Sequence, residues 1–193
     1  MLEAREAVPD DAVIVTDVGF TVVYQHDFFE KLSTEFMWGS FFAHMGTGLP
    51  QAIGAQLAVR DGRRVCLICG DGGLGTHLME LETAIRHRLP IVVICNDDRA
   101  FAAELQALQD YMNAVPETRF SDVRFDRIAI AMGGYGELVE KSSDIRCAIR
   151  RALDAKCPAV VQVRTDPDSG LKHHPLSAQE LYSWVHEDAA QSS

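Results

Sequence analysis

Val65-Cys66-Leu67-Ile68-Cys69-Gly70-Asp71-Gly72-Gly73-Leu74-Gly75 is the stretch whose reading decides the fold. Its first five residues are apolar without interruption, which suits a parallel strand covered on both faces by helices. Its last six hold four glycines around one carboxylate. Glycines let a backbone come close to a ligand, and ligands of parallel sheets bind outside the carboxyl ends of the strands.

The pattern repeats on either side. Ala12 to Asp17, Ile91 to Cys95, Tyr135 to Val139 and Ala159 to Val163 read as further strands. Helices are expected from Gln51 to Arg60, after Pro50, and from Thr76 to Arg88, with Leu78, Leu81 and Ile85 on one face. Two more run from Asp126 to Met132, stopped by Gly133-Gly134, and from Ser143 to Ala155, with Ile145, Ala148, Ile149 and Ala152 on one face. Strand-helix alternation predicts an α/β fold: a three-layer parallel sheet with helices on both faces. Residues 1–168 form the expected domain. Residues 169–193 form a polar tail with a short helix from Ser177 to His186.

Composition narrows the function. The chain has 193 residues and a net charge of −10 with no basic cluster, which argues against nucleic acid and anionic membranes as partners. No apolar run is long enough to span a bilayer, and the first residues do not read as a signal peptide. A cytoplasmic location is the resulting expectation. Cys66 and Cys69 have CxxC spacing, but three residues apart on a strand they point to opposite faces. The five cysteines read as small buried hydrophobes.

Chemistry concentrates where the second strand ends. A glycine turn leading into a helix attracts phosphate. Asp71 would repel a bare phosphate, so a hard cation such as Mg²⁺ between the carboxylate and a diphosphate makes sense of both. Asn96-Asp97-Asp98 ends the next strand, 25 residues after Asp71. One strand-helix-strand unit returns Asn96 to the edge beside Asp71. A nucleotide-binding Rossmann domain is a weaker reading, because Asp17-Val18-Gly19-Phe20-Thr21 lacks the G-x-G-x-x-G turn.

The run Gly70-Asp71-Gly72-Gly73 … Glu80-Leu81-Glu82-Thr83-Ala84-Ile85-Arg86 … Leu89-Pro90 … Asn96-Asp97 resembles the thiamine-diphosphate motif of the acetolactate synthase and benzoylformate decarboxylase family. His44-Met45-Gly46-Thr47-Gly48-Leu49-Pro50-Gln51-Ala52-Ile53-Gly54-Ala55 is similar to the segment that precedes that motif. The resemblance implies thiamine diphosphate and Mg²⁺ as cofactors. Asp71 and Asn96 would be side-chain Mg²⁺ ligands, joined by the Asp98 main-chain carbonyl. Gly70, Gly72 and Gly73 would border the diphosphate, as would Gly19, Phe20 and Thr21. Met45 would hold the cofactor bent, and the Ala43 carbonyl would accept from its aminopyrimidine. His44, beside that wedge, is the candidate catalytic residue.

The same resemblance implies a 2-oxo acid decarboxylase or carboligase, a lyase or transferase. Full-length relatives carry a pyrimidine-binding domain whose glutamate protonates the cofactor ring. The sequence starts just ahead of its first strand. The expectation is therefore a partner chain or domain that supplies the pyrimidine half, in a hetero-oligomer such as α2β2. A non-catalytic cofactor-binding or regulatory subunit is the alternative. Phe20-Thr21 replaces the Gln-His pair of acetolactate synthases, and Arg99-Ala100-Phe101 is unusual for the substrate-side segment, so the acyl donor stays open. His77, His26-Asp27 and His173-His174 read as surface or turn residues, and Arg99 reads either as a surface ion pair or as a ligand of a substrate carboxylate or cofactor phosphate.

Overall fold

The structure is a computed structural model that describes residues 1–22, 36–38, 42–105 and 117–166. The strands are β1 (Val13–Thr16), β2 (Phe36–Trp38), β3 (Val65–Gly70), β4 (Val92–Asp97), β5 (Tyr135–Val139) and β6 (Ala159–Arg164). They form one six-stranded sheet in the order β2-β1-β3-β4-β6-β5, with every pairing parallel. The helices are α1 (Leu2–Ala7), α2 (Gly48–Ala58), α3 (Asp71–Thr76), α4 (Glu80–Arg86), α5 (Phe125–Ala131) and α6 (Ile145–Asp154), the last preceded by a 3₁₀ turn over Ser142–Asp144.

Side-chain alternation along the strands divides the core in two. Ile14, Cys66, Ile68, Val92, Ile94 and Val161 face one layer, where Ala4 of α1 and Ile145, Ala148, Ile149 and Ala152 of α6 cover them. Val13, Val15, Leu67, Cys69, Val93 and Val160 face the other, beneath Leu49, Ala52 and Ile53 of α2, Leu81 and Ala84 of α4 and Ala129 of α5. The three-layer expectation holds. Cys66 and Cys69 fall in different layers, as their spacing predicts. Cys66, Cys69 and Cys95 are buried, and burial pushes the Cys66 thiol up to about 12. Cys147 and Cys157 do not follow the expected pattern: Cys147, on α6, is exposed and Cys157 is half-buried.

Four elements differ from expectation, the first being α1, a six-residue helix where only a lead into β1 is expected. β2 is an additional strand that, among the described residues, pairs with β1 alone; three residues are too few to give a readable period. The helix expected from Thr76 begins five residues earlier, at Asp71, directly out of β3. It then breaks at His77 and restarts at Glu80. Three glycines weaken the first segment, and the Thr76 hydroxyl donates to the Gly72 carbonyl at 2.9 Å, a local bond that competes with a straight helix. Finally, α2 starts at Gly48, two residues before Pro50. A side chain at Gly48 would meet Leu67 Cδ1 at 2.7 Å and Asp17 Cβ at 2.9 Å, so the helix reaches the sheet only through a glycine. His26-Asp27, His173-His174 and the Ser177 to His186 helix lie outside the described residues.

Candidate functional site

The carboxyl ends of β1, β3, β4 and β6 open onto one cavity of about 440 Å³, on the side of the sheet that α1 and α6 cover. β3 and β4 put Gly70 opposite Asn96 in register, so Asp71 and Asn96 stand at neighbouring strand ends. Of the residues expected from sequence, Gly19, Phe20, Thr21, Met45, Gly70, Asp71, Gly72, Gly73, Asn96 and Asp98 all line this cavity. Ala43 and His44 do not line it; both are exposed. Thr21 is buried, and its hydroxyl donates back to the Asp17 carbonyl at 2.8 Å.

The glycines have separable reasons. A side chain on Gly19 or Gly70 would meet only open space, because both face the cavity. Gly73 is pressed against Asp17, with Oδ2 2.7 Å from where a Cβ would sit, and Gly72 against the Phe101 ring at the same distance. Phe101 stacks edge-on against Phe120, with centroids 4.8 Å apart, to form an apolar wall.

Asp71 is 3 % exposed. Its Oδ1 accepts from the Gly72 N–H at 2.8 Å and its Oδ2 from the Arg99 N–H at 2.7 Å. Arg99 holds that position at φ 58°, and it is the backbone of Arg99 that reaches the site. Each carboxylate oxygen keeps a lone pair for a further partner. Burial, then the carboxylates of Asp98 and Asp97, push Asp71 up to about 7. Burial also raises Asp98, to about 6, against the Ala100 N–H that its Oδ1 accepts at 3.0 Å. The Asp71 edge of the pocket is thus crowded with negative charge. Asn96 adds an unpaired polar group: its Nδ2 is buried and has no hydrogen-bond partner. The two ends of an amide are assigned by hydrogen bonding, so this orphaned end can present oxygen as readily as nitrogen. Among the described residues no three His, Cys, Asp or Glu side chains form a metal cluster, so any cation here needs amide, carbonyl or ligand oxygens as well.

Asp17 has a role that the sequence reading missed. Its carboxylate is buried and accepts the Gly46 N–H at 3.0 Å on both oxygens and the Val18 N–H at 2.7 Å. Burial raises it, and these N–H groups pull it back. It pins the loop that carries Met45. His77 backs the same loop: its Nδ1 lies 2.4 Å from where a Gly46 Cβ would be, is buried, and has no partner. It is a loop support at the break between α3 and α4 rather than a helix-surface residue. The signal was present in the strand-end Asp17, but no spacing rule links it to Gly46.

Residues 17–163 match the family described as thiamine pyrophosphate enzyme, C-terminal TPP binding domain. An acetolactate synthase large subunit of Mycobacterium tuberculosis is 35% identical over 161 residues, covering 81% of this chain and 29% of that protein. A 2-hydroxyacyl-CoA lyase of Oryza sativa is 32% identical over 162 residues, covering 81% and 27%. Among solved structures, a thiamine diphosphate-dependent 4-hydroxybenzoylformate decarboxylase of Rhodococcus jostii superposes with a TM-score of 0.73 at 26% identity, over 86% of this chain and 31% of its own. The chain thus spans less than a third of the length of these relatives. With the motif, the cavity and the matched residues in agreement, the chain belongs to the thiamine pyrophosphate enzymes and comprises their C-terminal TPP-binding domain.

Proposed function

We propose that this chain is the diphosphate- and Mg²⁺-binding half of a thiamine-diphosphate-dependent decarboxylase or carboligase that acts on a 2-oxo acid. One observation carries the reading: Asp71 and Asn96 stand side by side at neighbouring strand ends in one cavity, and one end of the Asn96 amide is buried without a partner. A buried polar atom without a partner is costly, and a ligand or cation would remove that cost. Oxygen donors suit Mg²⁺, which takes one or two protein oxygens beside phosphate oxygens and water. The donor set at this edge therefore fits the group.

Asp71 and Asn96 would hold the cation through their side chains, and Asp98 through its main-chain carbonyl. Gly19 and Gly70 leave the space in which a diphosphate would lie, and Asp71, Gly72 and Gly73, which begin α3, line the same cavity. Met45, held by the Asp17 clamp on Gly46, would bend the cofactor. Phe101, Ala102 and Ala103 also line the cavity and would help to exclude water from it. When bound, thiamine diphosphate supplies the carbon nucleophile and electron sink needed to break the bond between a 2-oxo acid's keto carbon and its carboxylate.

The pyrimidine half and its glutamate would come from another chain or domain, in a hetero-oligomer such as α2β2. The chain spans less than a third of these relatives, which leaves that half to a separate chain or to a domain of the same one. Buried free cysteines support a reducing, cytoplasmic setting. The alternative, a cofactor-binding subunit without catalysis, draws support from His44, which lies off the cavity. One experiment separates the two readings. The chain is purified with its accompanying subunits, assayed for bound thiamine diphosphate, and tested for CO₂ release from a series of 2-oxo acids. Cofactor binding with turnover supports the enzyme. Binding with no turnover by any assembly supports the alternative. No binding of Mg²⁺–thiamine diphosphate would sink both.

A further inference from the structure

Asn96 and Asp97 are consecutive on β4, so their side chains leave the sheet on opposite faces. Asn96 lines the cavity. Asp97 is 1 % exposed and turns into the other layer, where Gln162 Nε2 and Arg164 Nη1 both donate to its Oδ2. Gln162 is fully buried and wholly engaged: Nε2 also donates to the Val123 carbonyl at 2.8 Å, and Oε1 accepts the Asp126 N–H at 3.1 Å. Arg164 Nη2 donates to Asp122. Backbone register completes the assembly, with Asp97 beside Arg164 and the Thr165 N–H donating to the Asp97 carbonyl at 3.0 Å.

Three carboxylates, Asp71, Asp97 and Asp98, therefore crowd two strand ends, where Arg164 pairs with Asp97 and the charge of Arg119 eases that of Asp98. We infer that Gln162 and Arg164 are positioning residues of the cation and diphosphate site: they hold Asp97 away from the cavity and so fix the backbone that aims Asn96 and Asp98 into it. This rests on the cavity being the Mg²⁺ site. Arg164 also borders the cavity, so direct contact with the diphosphate is the rival explanation. Its two terminal nitrogens are already committed to Asp97 and Asp122, which favours action through Asp97. Without Arg164, Asp97 would be a buried carboxylate with no counter-charge, one residue from Asn96, and the strand end would shift to relieve it.

The test is calorimetric titration of Mg²⁺–thiamine diphosphate into the full chain with its accompanying subunits, with circular dichroism to establish folding. Removing a group that orients a metal ligand weakens binding by roughly 10- to 100-fold, and Arg164→Met should fall in that range. The double variant Arg164→Met/Asp97→Asn should regain most of the loss, because the unpaired charge is gone while Gln162 can still donate to the new amide. A double variant no better than the single one would overturn the inference and assign Arg164 to the ligand. Unchanged binding by Arg164→Met would overturn it as well. If Arg164→Met does not fold, Gln162→Met, close in volume, should weaken binding in the same direction, and no effect would be fatal to the inference. Failure of the unaltered protein to bind would overturn the Mg²⁺ reading itself, and the inference with it.

Discussion

Asp71 is a carboxylate placed where burial and two neighbouring carboxylates all oppose its charge. Such a residue is held against stability, and its replacement tells function from structure. Asp71→Asn should abolish binding of Mg²⁺–thiamine diphosphate in a calorimetric titration. The unfolding temperature of the ligand-free chain should stay level or rise, since the amide has no charge to desolvate. A parallel loss of fold and binding would remove Asp71 from the cation site. Gly46 carries the opposite lesson. It sits at φ 87°, and a Cβ would fall 2.4 Å from His77 Nδ1 and 2.8 Å from Thr76 Cβ. Gly46→Ala should cost about 1–3 kcal/mol in urea unfolding, from backbone strain and overpacking together. Gly19→Ala meets only open space and should cost less, through its φ of 126° alone. At this scale the sequence was informative wherever a motif carried the residue: Asp71, Asn96 and the glycines at positions 19, 70, 72 and 73 line one cavity. Asp17, His77, Gln162 and Arg164 were not legible, because each acts on a residue distant in the chain and no periodicity connects them.

Among the elements, β3, β4 and β6 were easy to read, since unbroken apolar runs have no other place in a protein of this kind. The short helix α3 was not. Its residues, Asp71-Gly72-Gly73-Leu74-Gly75-Thr76, form poor helix by propensity, and the strand end and Asp17 hold them in place. α5 shows how closely one element can fit another. Gly136 of β5 lies so near α5 that a Cβ would stand 1.9 Å from the Asp126 carbonyl oxygen. Gly136→Ala should lower stability by about 3 kcal/mol or more, read as a lower urea midpoint. The same end of α5 carries an acid-sensitive link. Asp126 is opposed by burial, but the bonds from Arg124 at 2.7 and 2.8 Å outweigh it and hold the carboxyl below the usual range. A group depressed in the folded state contributes stability above its unfolded pKa and loses it as pH falls through the folded one. Thermal melts should therefore show Asp126→Asn less stable than the native chain at pH 7, with the gap closing below about pH 4.

For the whole molecule, the decisive quantity is what the ligand adds. A site formed only in the folded state gains about 2.7 kcal/mol at 100 times its Kd. For a domain of this size that raises the melting temperature by roughly 5–10 °C. Mg²⁺ and thiamine diphosphate together should produce this shift in the chain with its accompanying subunits, and chelation with EDTA should cancel it. A shift from the diphosphate compound alone that survives EDTA would argue against a cation bridge. The fold as a whole was legible from strand-helix alternation, with the edge strand β2 and the N-terminal helix α1 the exceptions. What the alternation could not give was strand order, which pairing alone decides.

That order has a consequence in time. β6 lies between β4 and β5, although it is the last of the six strands in the chain. Until Ala159–Arg164 leaves the ribosome, β4 keeps one edge bare and β5 has no neighbour. At about 5–20 residues per second, Ala159 follows Asp97 by some seconds. During that interval the nascent chain holds Asn96 and Asp97 without Gln162 and Arg164 to brace them. A competent cofactor site therefore waits for β6, and a chaperone shielding the open edge would have those seconds in which to act.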